Sequence, residues 1–359
     1  MALSFTSNKK ATNIISDASG YKGPLDYILN ADIVNNLYFT QHDGVKVYGS
    51  MEGIFQVART SSNGQVLDED LNISRVAANT PRRSYLPSYD LFGIVIEEGR
   101  YNFFNQSTLV TKETNKLPST TNTFACYALE GSAQASASEV DIISGTGTYD
   151  DPQFFTLKSG GTLTPTITVS GTPKAVQVEQ LIDKSSASAI PSVTAAMKAA
   201  ESMSIPADSI FPETQGCLVL NILENKPNVE NGKSIYIPYF QISSDENNYL
   251  AMNRRVERNT LTLRLFKGGS EVLASQVALA TTNNKIAISW NNGVVSYAVN
   301  GTSYSVNTTM DANFKANTVQ LLSAISNWVA ASGNSALANM IAYNRALTLD
   351  ELAKATTSW

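Results

Sequence analysis

At 359 residues, the chain is long enough for two domains with separate hydrophobic cores and a short additional segment. Its net charge of -5 and its pI of about 5.1 exclude the basic surface typical of a nucleic-acid-binding protein. Charged residues make up only 16% of the chain, and Ser, Thr, Asn and Gly take their place, as in turn-rich β proteins.

The cysteines and the N-terminal sequence predict neither a disulfide framework nor a membrane protein. Cys126 and Cys217 both lie in apolar stretches, FACYAL and GCLVL, so we expect buried and unreactive thiols. The N-terminal sequence MALSFTSNKK lacks the basic segment and apolar core of a signal peptide. Since no apolar run approaches the ~18 residues of a membrane span, we expect no membrane insertion.

Residues 1–50 form a polar segment with scattered apolar positions. Leu25, Ile28 and Leu37 stand between turn-forming residues, a pattern that fits a short helix and a strand. This is too little apolar surface to bury a core of its own. We therefore predict an N-terminal arm for attachment or oligomerisation, docked on a neighbouring subunit in preference to its own domain.

Residues 51–190 alternate short apolar runs with clusters of Gly, Pro, Ser and Asn. Runs such as GIFQVART, FGIVIEEGRYNFF and TFACYALEG have the length of β-strands. Pro165 and Pro173 lie at the margins of predicted strands, where the missing proline N–H removes the least hydrogen bonding from the sheet. Many short strands at this spacing favour a sandwich or barrel over a βαβ sheet, so we predict a first, jelly-roll-like β-sandwich here.

Helical spacing appears at residues 191–204, PSVTAAMKAAESMS. Val193, Met197 and Ala200 fall on one stripe of a helix that would begin next to a proline. This pattern predicts a short connecting helix within a linker of residues 191–210.

The second predicted domain, residues 211–359, is centred on the stretch KIAISWNNGVVSYAVNGTSYSV at 285–306. Apolar and polar residues alternate with period two, and Asn-Gly pairs at 292–293 and 300–301 separate the runs. Asn-Gly supplies the positive φ angles of a type I′ turn, so we predict three antiparallel strands joined by tight hairpins. Trp290 falls on the apolar phase and should lie in the core.

The C-terminal stretch MIAYNRALTLDELAKA changes to helical spacing. Thr348 and Glu351 are spaced as a capping box, and Leu349 and Leu352 would face inward from a short helix. The sequence thus predicts an all-β protein of two β-sandwiches with an N-terminal arm, a connecting helix and one short terminal helix.

Several motifs occur together in a fixed order. The segment ARTSSNGQVLDEDLNISRVAANTPRRSY at 58–85 precedes GIVIEEGRYNFFNQS at 93–107, and AVQVEQL and AIPS follow. This order resembles a family of bacteriophage virion proteins, the tail or tail-fibre proteins. The last domain resembles the concanavalin A-like (laminin G-like) sandwich, with a closing signature from Tyr343 to Glu351. The resemblance covers residues 53–359.

The charged residues of these motifs predict structural contacts more than ligand contacts. Arg82 or Arg83 would pair with Glu97 or Glu98, because an arginine fork matches a carboxylate well. Arg345 would fasten the terminal turn to the sandwich.

The sequence predicts no catalytic residues, no metal site and no cofactor. His42 is the single histidine and sits in the turn-like QHDGVK, which favours a solvated position over a catalytic one. The acidic stretches at 68–70 and 245–247 lack the EF-hand pattern and fit solvated loops better than calcium sites.

Glycoside hydrolysis needs two carboxylates facing one sugar ring. The strand signature Glu-x-Asp-x-x-Glu, usual in glucanases with a concanavalin A-like sandwich, has its nearest match at Glu139 and Asp141. Position 144 is Ser144, and the match lies in the first sandwich. We therefore expect no enzyme activity.

Carbohydrate binding without hydrolysis remains open. Trp328, Tyr304, Tyr249 and Asn327 are predicted to lie in or beside loops of the second sandwich, where aromatic platforms and an amide suit a sugar. The alternative for Trp328 is packing beneath the last strand.

The resemblance implies a non-enzymatic structural component of the virion, associated with the tail or a fibre and assembled in the cytoplasm of the bacterial host. Its expected partners are other virion proteins and copies of itself, with a homotrimer as one arrangement. The alternative is a receptor-binding adhesin that recognises a host-surface glycan through loops of the C-terminal sandwich.

Overall fold

A computed structural model describes residues 21–357, except 44, 60–63, 98–100, 119–122, 182–189, 193–200, 225–235, 256–257, 280, 307–308 and 324–334. The protein is all-β, as predicted, and its strands form antiparallel sheets. Within these ranges no helix is long and apolar enough to cross a membrane.

The strands of the described residues are β1 (Leu29–Asp32), β2 (Leu37–His42), β3 (Val45–Tyr48), β4 (Gln56–Ala58), β5 (Gly64–Leu67), β6 (Ile73–Val76), β7 (Arg83–Leu86), β8 (Leu91–Ile96), β9 (Lys112–Glu113), β10 (Thr123–Leu129), β11 (Ser132–Ala135), β12 (Val140–Ser144), β13 (Gln153–Leu157), β14 (Thr166–Ser170), β15 (Ala175–Leu181), β16 (Ser202–Ile205), β17 (Gln215–Glu224), β18 (Tyr236–Ser243), β19 (Tyr249–Arg255), β20 (Thr260–Lys267), β21 (Ser270–Ala278), β22 (Asn283–Asn291), β23 (Val294–Val299), β24 (Thr302–Ser305), β25 (Thr318–Leu321) and β26 (Ser335–Tyr343). The helices are α1 (Met51–Ile54), α2 (Ala207–Ile210) and α3 (Leu349–Ala355), and a 3-10 turn covers Pro87–Tyr89.

Two sheets form the large sandwich. The ten-stranded sheet runs β24-β23-β22-β17-β26-β1-β2-β3, and β8, which pairs with β7, also pairs with β26. The seven-stranded sheet runs β21-β20-β19-β18-β25-β16-β4. Their facing side chains share one core, which includes Leu218, Ile288 and Trp290 from the first sheet and Met252 and Leu263 from the second.

Both predicted Asn-Gly hairpins are confirmed. Asn292 and Gly293 have φ angles of 46° and 82° between β22 and β23, and Asn300 and Gly301 have 48° and 87° between β23 and β24. Positive φ at both central positions is the type I′ geometry.

The N-terminal segment differs from its prediction. Strand β1 pairs with β26 along residues 339–342 and is fully buried, while β2 and β3 extend the same sheet. The preference for an arm on a neighbouring subunit is therefore wrong for residues 29–48, which belong to the chain's own sandwich. The reason is that β26 has a free edge, and backbone pairing there needs no special sequence.

The first predicted sandwich is smaller than residues 51–190. A four-stranded sheet (β12-β13-β10-β15) faces a three-stranded sheet (β11-β14-β9) around a core that includes Phe124, Phe155 and Ile167. Strands β4, β7 and β8 fall within the predicted range but pair with strands of the large sandwich. The small sandwich is thus an insertion between β8 and β16.

The small sandwich packs against the outside of the ten-stranded sheet. Tyr127 and Leu129 of β10 share a buried apolar cluster with Val95, Leu223 and Ala336 of the large sandwich. The two sandwiches therefore share a continuous apolar contact.

The predicted helix at 191–204 is wrong at its end and lies mostly outside the described residues. Ser202, Met203 and Ser204 belong to strand β16, which pairs with β4 and β25. Met203 is buried between the sheets, and this tertiary burial outweighs the helical spacing.

Candidate functional site

Of the four residues predicted to bind a sugar, the structure describes Tyr304 and Tyr249, and Tyr249 is buried on β19, where it stacks on Phe266. Trp328 and Asn327 lie outside the described residues. Tyr304 is on the edge strand β24, where its half-buried ring stacks on Tyr297 at 4.9 Å between centroids and 19° between planes. It also packs against the main core, so one face of its ring is taken up by the protein.

The motif charges make the structural contacts predicted for them. Arg82 pairs with Glu97 at 3.0 Å, and both side chains are buried. Arg345 bonds to Asp26 at 2.7 Å and to Glu351 at 2.9 Å, which fastens α3 to the N-terminal segment. The capping box of Thr348 and Glu351 is present at the start of α3.

Arg83 has a different role from its neighbour. Its guanidinium donates to the carbonyl oxygens of Ile33 and Val34 at 2.7 and 2.8 Å and lies over the ring of Phe92. It thereby holds the turn that joins β1 and β2.

The side chains that the sequence analysis weighed and set aside as catalytic or metal-binding groups lie apart from one another in the described residues. The Glu139 carboxylate accepts a hydrogen bond from the Thr166 N–H at 2.8 Å, and Asp141 is exposed on β12. Cys126 and Cys217 are buried and free, and burial raises the pKa of both thiols. Among the described ranges, no cluster of three or more His, Cys, Asp or Glu residues is placed to hold a metal ion.

The seven-stranded sheet turns an unusually polar surface away from the core. Along β20, Leu261, Leu263 and Leu265 point into the sandwich, so the alternate positions Thr262 and Arg264 point outward. We call the outward-pointing residues of β4, β16, β18, β19, β20, β21 and β25 the outer face.

One row of cross-strand partners crosses the whole outer face. In order, it contains Gln56, Ser204, Gln320, Gln241, Ala251, Arg264 and Ala274. Three amides and a hydroxyl lie on one half of the row, and the two alanines leave room beside the arginine on the other half. Such a row offers hydrogen-bond donors and acceptors over several strands.

Polar atoms on the outer face are buried without partners among the described residues. Asn253 and Thr262 lie opposite each other on β19 and β20 and are 1% and 0% exposed. The Asn253 Nδ2, Thr262 Oγ1, Thr260 Oγ1 and Gln320 Oε1 atoms have no hydrogen-bond partner. A buried polar atom without a partner costs about 1–3 kcal/mol, so these four atoms lower the stability of the free protein without being open to a ligand.

Aromatic rings and cations flank these polar groups. Tyr249 and Phe266 stack at 4.3 Å between centroids and 15° between planes. The Tyr236 ring lies under Arg255 at 5.5 Å and under Arg264 at 5.2 Å. Within the seven strands as described, Glu271 is the single carboxylate, and it pairs with Arg264 at 2.6 Å. The outer face therefore has groups for binding and lacks the carboxylate pair that glycoside hydrolysis needs.

A second polar cluster lies inside the large sandwich and holds its sheets together. Glu224 of β17 forms an ion pair with Arg254 of β19 and accepts hydrogen bonds from Tyr239 and, at 3.2 Å, from Asn284. Burial raises the pKa of Glu224. Because these groups satisfy one another across the core, we interpret the cluster as a structural link.

Of the outer face, sequence reasoning found only Tyr249, because it looked for ligand groups in loops. The signal was available in the strands, since TLTLRLF at 260–266 places Thr, Thr, Arg and Phe on the phase opposite its leucines. A solvated outer face would carry the charged residues usual there, and here amides, hydroxyls and aromatic rings predominate.

The comparisons with known proteins return structures alone. No protein-family model and no curated protein matches the sequence. The carbohydrate-binding module CBM40 of a Ruminococcus gnavus sialidase, bound to α2,3-sialyllactose, is similar with a TM-score of 0.31 and 13% identity, over 40% of this chain and 83% of that one. Domain 4 of AbnA, an extracellular arabinanase from Geobacillus stearothermophilus, has a TM-score of 0.34 and 14% identity, over 61% of this chain and 99% of that one.

The NanB sialidase from Streptococcus pneumoniae has a TM-score of 0.30 and 12% identity, over 42% of this chain. The match spans only 26% of the length of NanB. All three similarities are partial.

Proposed function

We propose that the protein is a non-enzymatic component of a bacteriophage virion that binds a glycan of the host surface through the outer face. The observation that carries the binding proposal is the row of exposed and half-buried polar side chains across the sheet, chiefly Gln56, Ser204 and Gln320. The virion proposal rests on the resemblance of residues 58–85 and 93–107 to phage tail and tail-fibre proteins.

Carbohydrate is the ligand class that fits these groups best. A sugar hydroxyl both donates and accepts, so it complements the side-chain amide of Gln56 and the hydroxyl of Ser204, which also donate and accept. The stacked pair of Tyr249 and Phe266 supplies the apolar contact that carbohydrate sites combine with hydrogen bonds.

The shape of the row favours an extended oligosaccharide over a single sugar. Seven strands are separated by six spacings of ~4.8 Å, so the row is about 29 Å long. A chain of sugars lying across the strands would meet the polar side chains of Gln56, Ser204 and Gln320 on one half of the row and Arg264 on the other.

The test is binding of the full chain to a glycan array and to whole bacterial cells, with variants on each sheet. Gln56→Ala and Ser204→Ala each remove one proposed hydrogen bond, and we expect affinity to fall about tenfold for each. Thr302→Val removes an exposed hydroxyl from β24 of the other sheet and should bind as the parent does.

Two outcomes would contradict this proposal. Binding that is unchanged in Gln56→Ala and Ser204→Ala but lost in Trp328→Ala would move the site to the loop residues that the sequence indicates. Failure of the parent protein to bind any glycan or host cell would leave a purely structural role.

That structural role is the second candidate function, and one observation favours it. Val45 and Val47 of β3 are 64% and 59% exposed at the edge of the ten-stranded sheet, as expected of a surface covered in an assembled particle. If this surface makes a contact within the particle, the Val45→Asp/Val47→Asp double variant should not be incorporated into assembled particles. Incorporation at the level of the parent protein would contradict this structural role.

A further inference from the structure

Strand β3 is the last strand of the ten-stranded sheet, and among the described strands it pairs only with β2. The Gly49 N–H donates to the Tyr38 carbonyl oxygen at 3.0 Å. This bond shows which residues of β3 direct their backbone N–H and C=O groups toward β2. Backbone groups alternate in direction along a strand, so those of Val45 and Val47 also point toward β2. The N–H and C=O groups of Lys46 and Tyr48 therefore point out from the edge.

The side chains of β3 form two different surfaces. Val45 and Val47 project on one face and are mostly exposed. Lys46 and Tyr48 project on the other, where the Lys46 ammonium lies 4.7 Å from the centre of the Phe39 ring and the Tyr48 ring lies 5.6 Å from it. The edge thus combines an apolar face with an aromatic and cationic face.

The two ends of this sheet differ in what packs near them. Helix α3 lies against β22, β23 and β24 near the opposite end, and the Thr356 hydroxyl accepts a hydrogen bond from the Gly301 N–H at 3.0 Å. Soluble proteins usually cover or twist such edges because open backbone groups pair with other chains. The exposed β3 therefore has the properties of an interface.

We propose that β3 pairs in antiparallel fashion with β3 of a second copy of this chain, with Val47 on the twofold axis. Hydrogen-bonded pairs can form only between residues whose backbone groups point outward, which are Lys46 and Tyr48. Centring the pair on Val47 places Lys46 opposite Tyr48 of the partner subunit. The twofold axis repeats this contact, so the interface contains two Lys46–Tyr48 pairs.

The alternative centred on Lys46 is less favourable. It satisfies the same backbone rule but places the two Lys46 ammonium groups directly opposite each other, which is destabilising. Centring on Val47 replaces that repulsion with a cation facing an aromatic ring and joins the two valines on the other face. Centring on Tyr48 also satisfies the backbone rule but places each Val47 opposite Gly49 of the partner subunit, so the valines do not meet. The register centred on Val47 therefore suits the backbone, the charge and the apolar face of β3.

This pairing would join two ten-stranded sheets edge to edge and leave the outer face of each seven-stranded sheet uncovered by the contact. The inference does not depend on the ligand of the outer face. A dimer without glycan binding, and glycan binding by a monomer, are separately measurable.

Cysteine cross-linking tests the register directly. The Cα atoms of a non-hydrogen-bonded pair on the axis lie ~4.5 Å apart, within the range that a disulfide bridges. Val47→Cys should therefore form a covalent dimer on mild oxidation. Val45→Cys is the matched control, because its partner copy lies four residues along the strand, ~13 Å away. The native thiols of Cys126 and Cys217 are buried and should not interfere.

The role of the outward-pointing backbone N–H in the dimer is tested by comparing Lys46→Pro with Lys46→Thr. Proline removes an outward-pointing N–H and leaves the β2–β3 ladder intact, so the protein should fold and sediment as a monomer. Lys46→Thr keeps the N–H and should remain a dimer. Melting temperatures of both variants confirm that each is folded.

Three outcomes would overturn the proposal. One is sedimentation of the parent protein as a monomer at every protein concentration tested. The second is cross-linking of Val45→Cys as efficient as that of Val47→Cys, and the third is an unchanged dimer in Lys46→Pro.

Discussion

Arg82 and Glu201 lie 119 positions apart in the sequence and form a buried two-point ion pair, with Arg82 Nε 2.8 Å from Glu201 Oε1. Glu201 also accepts from Arg59 at 2.6 Å and from the backbone N–H of Glu97 at 3.0 Å. Glu97 follows the strand that leads into the small sandwich, and Glu201 precedes the strand that returns from it. The network therefore fastens both connections of the small sandwich at one point.

Removal of the Glu201 charge should destabilise the protein strongly. Glu201→Gln leaves Arg59 and Arg82 buried with fewer partners, and breaking a buried pair in this way costs about 3–5 kcal/mol. Urea denaturation measures the change, with Glu130→Gln as the control. Glu130 pairs with Lys174 at 3.4 Å on the surface, so its variant should lose less than about 1 kcal/mol. Equal losses in the two variants would show that the network contributes no more than a surface pair.

The two hairpin glycines should differ in their tolerance of alanine. Both have positive φ, so each Gly→Ala change costs about 1–2 kcal/mol in backbone strain. A Cβ at Gly301 would meet Thr357 Oγ1 at an ordinary 3.4 Å, whereas one at Gly293 would lie 2.6 Å from the Met310 carbonyl oxygen. We therefore expect Gly293→Ala to be less stable than Gly301→Ala by at least ~1 kcal/mol. Equal melting temperatures would contradict this.

The contact between α3 and the N-terminal segment should weaken in acid. Hydrogen bonds from Arg345 hold the pKa of Glu351 at about 2, below its usual value near 4.5. A carboxyl whose pKa is lowered by folding stabilises the protein above its unfolded pKa and loses that effect as the pH falls toward the folded one. The difference in melting temperature between the parent and Glu351→Gln should therefore be largest above pH ~5 and shrink between pH ~5 and ~2. A difference that is independent of pH would contradict the ion pair.

Two threonines should respond in opposite ways to removal of the hydroxyl. Thr262 is buried with no partner for its Oγ1, so Thr262→Val should leave the free protein as stable or stabilise it by up to ~1 kcal/mol. The Thr356 hydroxyl bonds to Gly301 N and Leu352 O, both at 3.0 Å, so Thr356→Val should cost about 1–3 kcal/mol. Chemical denaturation of the two variants measures both effects. A large loss in Thr262→Val would mean that its hydroxyl already has a partner in the free protein.

The buried cysteines should be inert in the folded protein. Desolvation raises the pKa of Cys126 and Cys217, so little thiolate is present at neutral pH. A colorimetric thiol reagent should detect neither thiol in the native state and both after denaturation. Rapid reaction of the native protein would contradict this burial.

Local sequence chemistry determined the all-β class, the hairpins and the helix cap. Asn-Gly pairs set the backbone angles of residues 292–293 and 300–301, and the capping box needs only Thr348 and Glu351. Period-two alternation identified Trp290 as a core residue, and it is fully buried. Each of these features depends on residues within a few positions of one another, so the sequence carries it directly.

Tertiary structure alone decided which strands share a sheet. Strand β1 lies beside β26, and β16 lies between β4 and β25, because strands pair through backbone groups that every residue carries. The outer face follows from the same pairing, since Gln56, Ser204 and Gln320 become neighbours only when β4, β16 and β25 lie side by side. Alternation shows which side chains point away from a core, but the partner strands, and hence the surface those side chains build, depend on packing of the whole chain.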